Sequence, residues 1–307
     1  MNMTDALRLT DLRGVLKTGE PMARHVSWRA GGRAARFYAP ADLEDLQAFV
    51  AQLPPQEPIL FVGLGSNLLV RDGGFAGTVV RTHAAGRHPE LVAGHLYADA
   101  GVASPKVARF AARHDLAGAE FLAGIPGTVG GALAMNAGCY GGETWEIVAR
   151  AVTIDRRGAL RTRARAEFDI GYRHCALKGG ARLGEDEWFA GAWFELPKGD
   201  GAAARARITA LLAKRIASQP LSLPNAGSVF RNPPGDHAAR LIEACALKGL
   251  ERGGASISEK HANFIVNPKG RASAADIEWL IAQARDTVRA KTGIELHAEV
   301  RIVGEPA

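Results

Sequence analysis

A turn rich in small residues could present a serine hydroxyl to a substrate. Residues 225–229 (NAGSV) place Ser228 where the chain can bend tightly, and Arg231 and Asn232 follow with further hydrogen-bond donors. A hydroxyl in such a turn can act as an acid or as a nucleophile. From the sequence alone, an ordinary turn stabilised by its own serine explains the same residues equally well.

Three other polar positions are candidates for a site, although each is weak alone. Tyr172-Arg173-His174 places a guanidinium beside an aromatic ring, His261 precedes the apolar run 264–266, and Glu299 lies in the last predicted strand. An arginine beside a tyrosine is common on surfaces, and a glutamate in a strand usually faces solvent. The sequence alone therefore does not separate these residues from ordinary surface positions.

Residues 118–142 form the most unusual segment, with eight glycines among 25 residues and a single charge, Glu120. Glycine and proline disfavour an ordinary helix over 125–132, and the apolar residues between the glycines disfavour a flexible linker. Glycine lets backbone N–H groups approach oxygen atoms with no Cβ in the way. The segment predicts ordered backbone against a flat or phosphorylated ligand or, alternatively, a tight buried turn.

A second glycine pair, Gly63-Leu64-Gly65, follows the short apolar run 58–62. A strand followed by glycines begins the dinucleotide fingerprint, but Leu68 occupies the place of its third glycine and no helical pattern follows. A Rossmann turn is therefore disfavoured. The remaining interpretations are a loop in which Ser66 and Asn67 bind a pyrophosphate, and a simple turn.

The composition favours a globular protein of two domains, or three small ones, without secretory or membrane-spanning segments. The net charge of +6 and the pI of about 9.4 favour anionic partners. The missing nucleic-acid motifs favour small phosphorylated molecules over nucleic acid. Three cysteines without disulfide or zinc spacing are typical of a reducing cytoplasm, and nine scattered histidines predict no metal site.

The elements that must position these residues alternate in type over the first half of the chain. A domain boundary is predicted near residue 200, because 197–201 (PKGDG) is the best linker. The other elements follow from the spacing of apolar residues. Helices are predicted over 41–53, 104–114, 202–218, 238–248 and 274–292, and strands over 58–62, 68–71, 78–82, 91–98, 148–155, 160–162, 188–196, 264–266 and 294–303.

Taken together, these segments resemble the UDP-N-acetylenolpyruvoylglucosamine reductase family of bacterial flavoenzymes over nearly the whole chain. Seven motifs occur in the order that the family has, which makes the resemblance specific. They are SWRAGG at 27–32, GLGSNLLV at 63–70, GIPGTVGGALAMNAGCYGGE at 124–143, YRH at 172–174, NAGSVFRNP at 225–233, HANFIVN at 261–267 and EVR at 299–301.

The resemblance implies an α+β fold with two parts. An FAD-binding region of the vanillyl-alcohol-oxidase (PCMH) type, residues 1–200 with a subdivision near 85, would precede a smaller α+β substrate-binding domain, residues 201–307. FAD would be bound non-covalently, and NADPH would donate the hydride. The residues expected to hold FAD are Gly63, Leu64, Gly65, Ser66, Asn67, Leu68, Gly101, Ile125, Pro126, Gly127, Thr128, Gly130, Gly131, Ala132, Asn136, Ala137 and Gly138.

The resemblance also implies a reaction and its residues. The enolpyruvyl group of UDP-N-acetylglucosamine enolpyruvate would be reduced to give UDP-N-acetylmuramate, a step of peptidoglycan precursor synthesis that serves cell-wall growth, shape and division. Ser228 matches the proton donor, and Arg173 and Glu299 match the pair that binds the substrate carboxylate and stabilises the intermediate. Further candidates for contacts with the UDP-sugar are Tyr172, Arg231, Asn232 and His261.

Two features depart from the family pattern. Cys175 stands where relatives often have serine, and no tyrosine-bearing insertion lies between Arg173 and Ser228. The chain therefore resembles the subgroup without that lid. A cytoplasmic monomer that binds neither nucleic acid nor membrane is expected. The alternatives are another FAD oxidoreductase of the same fold and a non-catalytic nucleotide- or RNA-binding protein.

Overall fold

The computed structural model describes residues 10–307, and their strands and helices have the following bounds. The strands are β1 Val15–Pro21, β2 Arg33–Ala39, β3 Ile59–Val62, β4 Leu68–Val70, β5 Phe75–Arg81, β6 Glu90–Val92, β7 His95–Asp99, β8 Gly138–Cys139, β9 Gly142–Glu143, β10 Val148–Asp155, β11 Leu160–Ala164, β12 Phe168–Gly171, β13 His174–Leu177, β14 Glu187–Phe194, β15 Glu251–Arg252, β16 Ala255–Ile257, β17 Ile265–Val266 and β18 Arg301–Val303. The α-helices are α1 Leu43–Ala51, α2 Ser104–Arg113, α3 Val129–Ala134, α4 Gly201–Ser218, α5 Ala238–Ala244 and α6 Ala274–Thr292.

The N-terminal sheet has the strand order β1-β2-β5-β3, in which β1 is antiparallel to β2 and the other pairs are parallel. Helix α1 begins after Asp42, whose side chain accepts a hydrogen bond from the N–H of Asp45 at 2.9 Å. The helix buries Phe49 and Val50 in a core that includes Tyr38 of β2. The parallel strands β3 and β5 end at the same edge of the sheet, where ligands of α/β folds commonly bind.

The second sheet has the order β11-β10-β14-β7-β6 and is antiparallel throughout. Its core joins β7, β10 and β14 to helices α2, α3 and α4. The Gly-rich segment takes part in this core through Val129 and Leu133 of α3, and Trp145 donates from Nε1 to the carbonyl of Leu133 at 2.9 Å. The segment is therefore fixed by packing on one side, which leaves its other side free to meet a ligand.

The C-terminal part packs α5 and α6 over the small sheet β15-β16-β17. Trp28 and Leu69 belong to the same core, although both lie in the N-terminal part of the chain. Strand β18 pairs in parallel with β4, and Trp28 donates from Nε1 to the carbonyl of Ile265 at 2.7 Å. The two parts thus share a core and a strand pair. No helix within residues 10–307 is long and apolar enough to cross a bilayer.

Helix α6 begins against a carboxylate of the N-terminal part. Asp72 accepts hydrogen bonds from the N–H groups of Ala274 and Ala275 at 2.9 and 2.8 Å, where the first turn of a helix favours negative charge. Arg71 pairs with Glu278 one turn later, at 2.8 Å. These contacts fix the direction in which α6 leaves the β4 region.

Several sequence-based element predictions are wrong, and the reasons are local. The predicted strand 91–98 is the hairpin β6–β7, because Ala93 and Gly94 adopt positive φ angles of 48° and 81° between the two strands. The predicted strand 294–303 is regular only in β18. The sequence gives no sign of β1, most of whose residues face solvent, and so it lacks an apolar alternation.

The Gly-rich segment also departs from its prediction, because it contains the short helix α3. Val129, Ala132 and Leu133 of this helix are buried. Burial of these side chains outweighs the low helix propensity of the two glycines between them.

Candidate active site

A cleft of about 630 Å³ lies where the N-terminal sheet, the Gly-rich segment and the C-terminal part meet. Cavities of this size are typical of ligand sites. One wall is formed by the loop 63–68 and by residues 124–138, and we call it the backbone wall. Another wall carries charged and polar side chains, and we call it the side-chain wall. Its members are Arg173, Arg215, Ser228, Arg231 and Glu299.

The loop 63–68, which follows β3, offers unused backbone donors to the cleft. The N–H groups of residues 63–67 donate to no oxygen atom of another residue within 10–307. Two of these positions require glycine, because a Cβ at Gly63 would collide with the side chain of Thr128, and one at Gly65 would collide with the backbone of His25. Gly65 also has a positive φ of 60°. The loop is therefore held in a shape that keeps its donors free for an anion.

Glycine is explained differently at two neighbouring positions of the Gly-rich segment, 130 and 131. A Cβ at Gly130 would press on the side chain of Ala100, so close packing within the protein explains that glycine. A Cβ at Gly131 would meet no atom within 4 Å, although Gly131 lines the cleft. Packing of the protein does not require glycine there, whereas a ligand lying against the wall would.

All but two of the residues predicted to hold FAD line the cleft, and the exceptions are Gly101 and Asn136. Gly101 lies against the carbonyl of Thr82, which a Cβ would strike, so close packing explains this glycine. Asn136 is buried, and its side chain donates to Glu143 and to the carbonyl of Gly171 at 2.8 and 3.1 Å. Both residues therefore serve the fold around the cleft.

Arg173 occupies the two-residue turn of the hairpin β12–β13. Its φ is 53°, a left-handed conformation that is unusual for an arginine. The guanidinium donates from Nε to Oε1 of Glu299 at 3.1 Å and from Nη2 to the carbonyl of Gly138 at 2.9 Å. The strained turn and these two hydrogen bonds thus hold the guanidinium of Arg173 between the Gly-rich segment and the C-terminal part.

Glu299 is the partly buried carboxylate of this cluster. Burial raises the pKa of Glu299 above its usual value, although the positive charges of Arg173 and Arg231 oppose that rise. Its backbone is tied to the backbone wall, because the side-chain amide of Asn67 donates to the Glu299 carbonyl at 3.0 Å. The carboxyl is therefore held beside a guanidinium at a fixed distance from the loop 63–68.

Ser228 lies on a segment that runs alongside Glu299. The N–H of Glu299 donates to the carbonyl of Val229 at 2.8 Å, and Phe230 forms a β-bridge with Ala298. The side chain of Asn225 accepts from the N–H of Gly227 at 2.9 Å, which forms the tight turn before the serine. The Ser228 hydroxyl has no hydrogen-bond partner among the described residues and lines the cleft.

Of the further candidates for sugar-nucleotide contacts, only Arg231 lines the cleft. Its Nε is buried and has no hydrogen-bond partner among the residues that the structure describes. Tyr172 packs over the guanidinium of Arg173 at 5.0 Å. Asn232 accepts from the N–H of Ala238 at 3.1 Å and so holds the start of α5. His261 packs edge-on against Phe264, 4.7 Å between ring centres, outside the cleft lining.

Arg215 and Gln219 line the cleft and are absent from the sequence-based site. Arg215 donates from Nε to Oε1 of Gln219 at 2.9 Å, so its charge has a neutral partner there. Burial lowers the pKa of Arg215. A recess of about 360 Å³ adjoins this point and is lined also by Cys139 and Tyr140. In the sequence, Lys214 and Arg215 lie near the end of the predicted helix 202–218. Basic residues at the end of a helix usually face solvent, so the sequence does not mark Arg215 as a site residue.

The cleft suits a dinucleotide with a flat ring system. Free N–H groups at the end of a parallel strand are typical pyrophosphate donors. Gly131 leaves room where a methyl group would intrude, and the cationic side-chain wall can balance negative charge. The residues present therefore fit FAD, and most of those that would hold it belong to the backbone wall.

Two family models match the chain. Residues 34–163 match the FAD binding domain, and residues 219–303 match the model described as UDP-N-acetylenolpyruvoylglucosamine reductase, C-terminal domain. These matches confirm the predicted fold class, an FAD-binding region followed by a smaller C-terminal domain.

Curated relatives are similar over nearly their full length. The chain is 59% identical to the UDP-N-acetylenolpyruvoylglucosamine reductase of Thiobacillus denitrificans, over 96% of this chain and 94% of the relative. It is 57% identical to the same enzyme of Nitrosospira multiformis, over 98% and 92%. The crystal structure of the UDP-N-acetylenolpyruvylglucosamine reductase of Thermus caldophilus superposes with a TM-score of 0.79 at 30% identity, over 95% of this chain and 99% of that one.

Proposed function

Because this chain belongs to the UDP-N-acetylenolpyruvoylglucosamine reductase family, we propose that Arg173, Glu299 and Ser228 carry out its FAD-dependent reduction of an enolpyruvyl group. The substrate is UDP-N-acetylglucosamine enolpyruvate, the electron donor is NADPH and the product is UDP-N-acetylmuramate. One observation carries the assignment: an arginine, a carboxylate and a serine hydroxyl from three distant segments line one cleft.

When bound, FAD supplies a two-electron relay that takes hydride from NADPH and delivers it to the substrate. The loop 63–68 would bind the pyrophosphate through its free N–H groups. The face of α3 at Gly131 would lie against the flat part of the cofactor. Gly101 and Asn136, which do not line the cleft, would support these segments from behind.

Arg173 would bind the carboxylate of the enolpyruvyl group. Hydride addition at the methylene carbon moves the π electrons toward the adjacent carbon and its carboxylate. A fixed guanidinium therefore stabilises the transition state more than the ground state. Glu299 holds that guanidinium through Nε, and its own raised pKa means that its proton is retained to a higher pH than for an ordinary glutamate.

Ser228 would complete the addition by donating its proton to the carbon next to the carboxylate. A hydroxyl is a weak acid, so the transfer depends on the high basicity of the carbanion-like intermediate. The proton that the serine loses is replaced from solvent, which balances the reaction with the hydride from NADPH. The serine has no competing partner among the described residues, which leaves its hydroxyl free for this step.

Arg231 and Arg215 would bind the anionic nucleotide of the substrate. Both line the cleft, and neither forms an ion pair with a carboxylate among residues 10–307. A guanidinium removed from water needs an anion or several acceptors, and a diphosphate supplies both. Their place on the side-chain wall separates the nucleotide from the FAD pyrophosphate on the backbone wall.

We propose the following wider assignments together with this function. The protein acts in the cytoplasm as a monomer, in the peptidoglycan precursor synthesis that supports cell shape and division. The proposed division is an FAD-binding region, residues 1–200, and a substrate domain, residues 201–307, although helix α4 packs in the core of the second sheet and the C-terminal family model begins at residue 219. The gap between β5 and β6 supports a subdivision near 85, although Trp28 and Leu69 join the C-terminal core.

Anaerobic NADPH oxidation by the purified holoenzyme tests the proposal. We expect NADPH to be consumed in proportion to added UDP-N-acetylglucosamine enolpyruvate, with formation of UDP-N-acetylmuramate. Without that substrate, oxidation should stop after one equivalent per flavin. A second turnover that does not depend on the enolpyruvyl compound would contradict the proposed substrate and would indicate another electron acceptor.

A further inference from the structure

Ser228 lies between a glycine and two buried apolar residues. Gly227 precedes it with a φ of 74°, a conformation that glycine enters readily. Val229 and Phe230 follow it, and both are buried. The backbone of Ser228 is therefore held on one side by the Asn225–Gly227 turn and on the other by the buried segment that begins at Val229.

Asn263 forms three hydrogen bonds to the backbone of Val229 and Phe230. Its own carbonyl accepts from the N–H of Val229 at 2.9 Å, its side-chain oxygen accepts from the N–H of Phe230 at 2.9 Å, and its side-chain nitrogen donates to the carbonyl of Phe230 at 2.8 Å. Asn263 is 4% exposed. The side-chain amide of Asn263 thus bonds both the N–H and the carbonyl of Phe230, as the backbone of a neighbouring strand does in a sheet.

The opposite edge of the same segment bonds to the strand that carries the carboxylate. The carbonyl of Val229 accepts from the N–H of Glu299 at 2.8 Å, and the N–H of Arg231 donates to the carbonyl of His297 at 3.0 Å. Residues 229–231 therefore lie between Asn263 on one edge and 297–299 on the other. Loss of the Asn263 side-chain amide would free Phe230 on this edge and leave its two buried backbone groups without partners, while the backbone bond from Val229 to Asn263 would remain.

We propose that Asn263 is a positioning residue for the reaction, which fixes the Ser228 hydroxyl by clamping the backbone of Phe230. The proposal rests on the proton-donor role of Ser228 argued above. Asn263 itself does not line the cleft, so it acts through the serine and has no contact with substrate or cofactor. A displacement of even about 1 Å can lower a rate on the order of 100-fold.

Asn267 provides a matched control. It is fully buried in the same part of the chain, and its amide also clamps backbone: it donates to the carbonyl of Trp28 at 2.9 Å and accepts from the N–H of Arg271 at 3.1 Å. Its side chain makes no hydrogen bond to residues 225–231, and its backbone N–H, which donates to the carbonyl of Pro224, is unchanged by substitution with alanine. Asn263→Ala and Asn267→Ala therefore remove similar buried amides, and only the first should affect the serine.

The test measures the two half-reactions of the holoenzyme anaerobically, with NADPH and then with UDP-N-acetylglucosamine enolpyruvate. For Asn263→Ala we expect flavin reduction by NADPH to stay within about twofold and flavin reoxidation by the substrate to slow by about tenfold or more. Asn267→Ala should change neither rate beyond about twofold, even if its thermal stability falls equally. Equal slowing of both half-reactions, or equal effects of the two variants, would show a merely structural role.

A double variant separates the positioning role from other causes. If Asn263 acts through the serine, Ser228→Ala combined with Asn263→Ala should be no slower in reoxidation than Ser228→Ala alone. Additive losses would overturn the proposal. An unchanged rate for Ser228→Ala would overturn the proton-donor role as well, whereas a slow Ser228→Ala with a normal Asn263→Ala would overturn the positioning role only.

Asn263→Asp is a second variant that tests the same proposal if Asn263→Ala does not fold. The aspartate retains the acceptor for Phe230 N–H but cannot donate to the Phe230 carbonyl while it is ionised. Reoxidation relative to wild type should therefore slow as the pH rises through the pKa of the introduced carboxyl, which burial raises above its usual value, and recover as the pH falls, because a protonated carboxyl donates again. A pH profile of reoxidation that parallels the wild type would contradict the clamp.

Discussion

The two walls of the cleft are built on opposite principles. The backbone wall works through missing side chains: Gly63 and Gly65 let the chain bend against its neighbours, and Gly131 leaves space for a ligand. The side-chain wall works through charged groups held in place by other residues, such as Arg173 between Glu299 and Gly138. The first wall suits the close approach of a flat or phosphorylated ligand, and the second suits a substrate on which negative charge develops in the transition state.

The first way to break this comparison is to remove Ser228, the proposed proton donor. Ser228→Ala should lower turnover by roughly 10²- to 10⁴-fold, the usual worth of general acid catalysis, while FAD content and flavin reduction by NADPH stay normal. Ser222→Ala, an exposed serine six residues earlier, is the matched control. Near-wild-type turnover in the Ser228 variant would remove the serine from the mechanism.

The second test concerns substrate binding on the same wall. Arg215→Gln should raise the KM for the UDP-sugar by about tenfold, because a charge-assisted contact with a diphosphate is lost, and should leave FAD content unchanged. Steady-state kinetics with varied substrate measure this. Arg207 of the same helix lies outside the cleft lining, where it pairs with Glu120 at 3.7 Å, so Arg207→Gln should leave the KM unchanged. A normal KM in Arg215→Gln would place the nucleotide elsewhere.

The third test addresses the backbone wall. It should raise the stability of the FAD-free protein and lower its affinity for FAD. Gly131→Ala should stabilise the FAD-free protein by about 1 kcal/mol through helix propensity. It should weaken FAD binding by about fivefold, because the added methyl group occupies the ligand space. Gly86→Ala, whose new Cβ also meets no atom within 4 Å, lies outside the cleft and is the control. Tighter FAD binding in Gly131→Ala would contradict the cradle.

The smallest expected effect concerns the buried carboxyl. Since the pKa of Glu299 is raised in the folded protein, the folded state binds its proton more tightly than the unfolded state does. Its ionisation therefore costs stability as the pH rises from about 4.5 through the folded pKa. Glu299→Gln keeps a neutral side chain, so its thermal stability relative to wild type should increase across that pH range. A difference that stays flat with pH would contradict the raised pKa.

The sequence predicts the backbone wall well, because that wall is encoded in two continuous segments. The loop 63–68 and the residues from 125 to 132 all line the cleft except the buried Val129, and the glycine content alone indicates close approach of the backbone. Gly101, which the resemblance adds to the FAD set, lies outside the cleft lining. A glycine required by a neighbouring carbonyl, here that of Thr82, has the same sequence signal as one required by a ligand. Local sequence does not distinguish these two causes.

The side-chain wall is harder to predict, because its residues come from segments far apart in the chain. Arg173, Ser228 and Glu299 entered the prediction through resemblance, and the structure places all three on the cleft. Arg215 was missed because a basic residue at a helix end usually faces solvent. Asn232 and His261 look equally polar in sequence, but one holds the start of α5 and the other packs on Phe264.

A crystal structure of the protein with FAD and the enolpyruvyl substrate tests the division between the walls most directly. The account predicts the FAD pyrophosphate within hydrogen-bond distance of N–H groups in the loop 63–68. It also predicts the enolpyruvyl carboxylate beside Arg173, with the Ser228 hydroxyl next to the carbon that is protonated. A pyrophosphate bound to Arg215 and Arg231, with the substrate against the glycines, would contradict it.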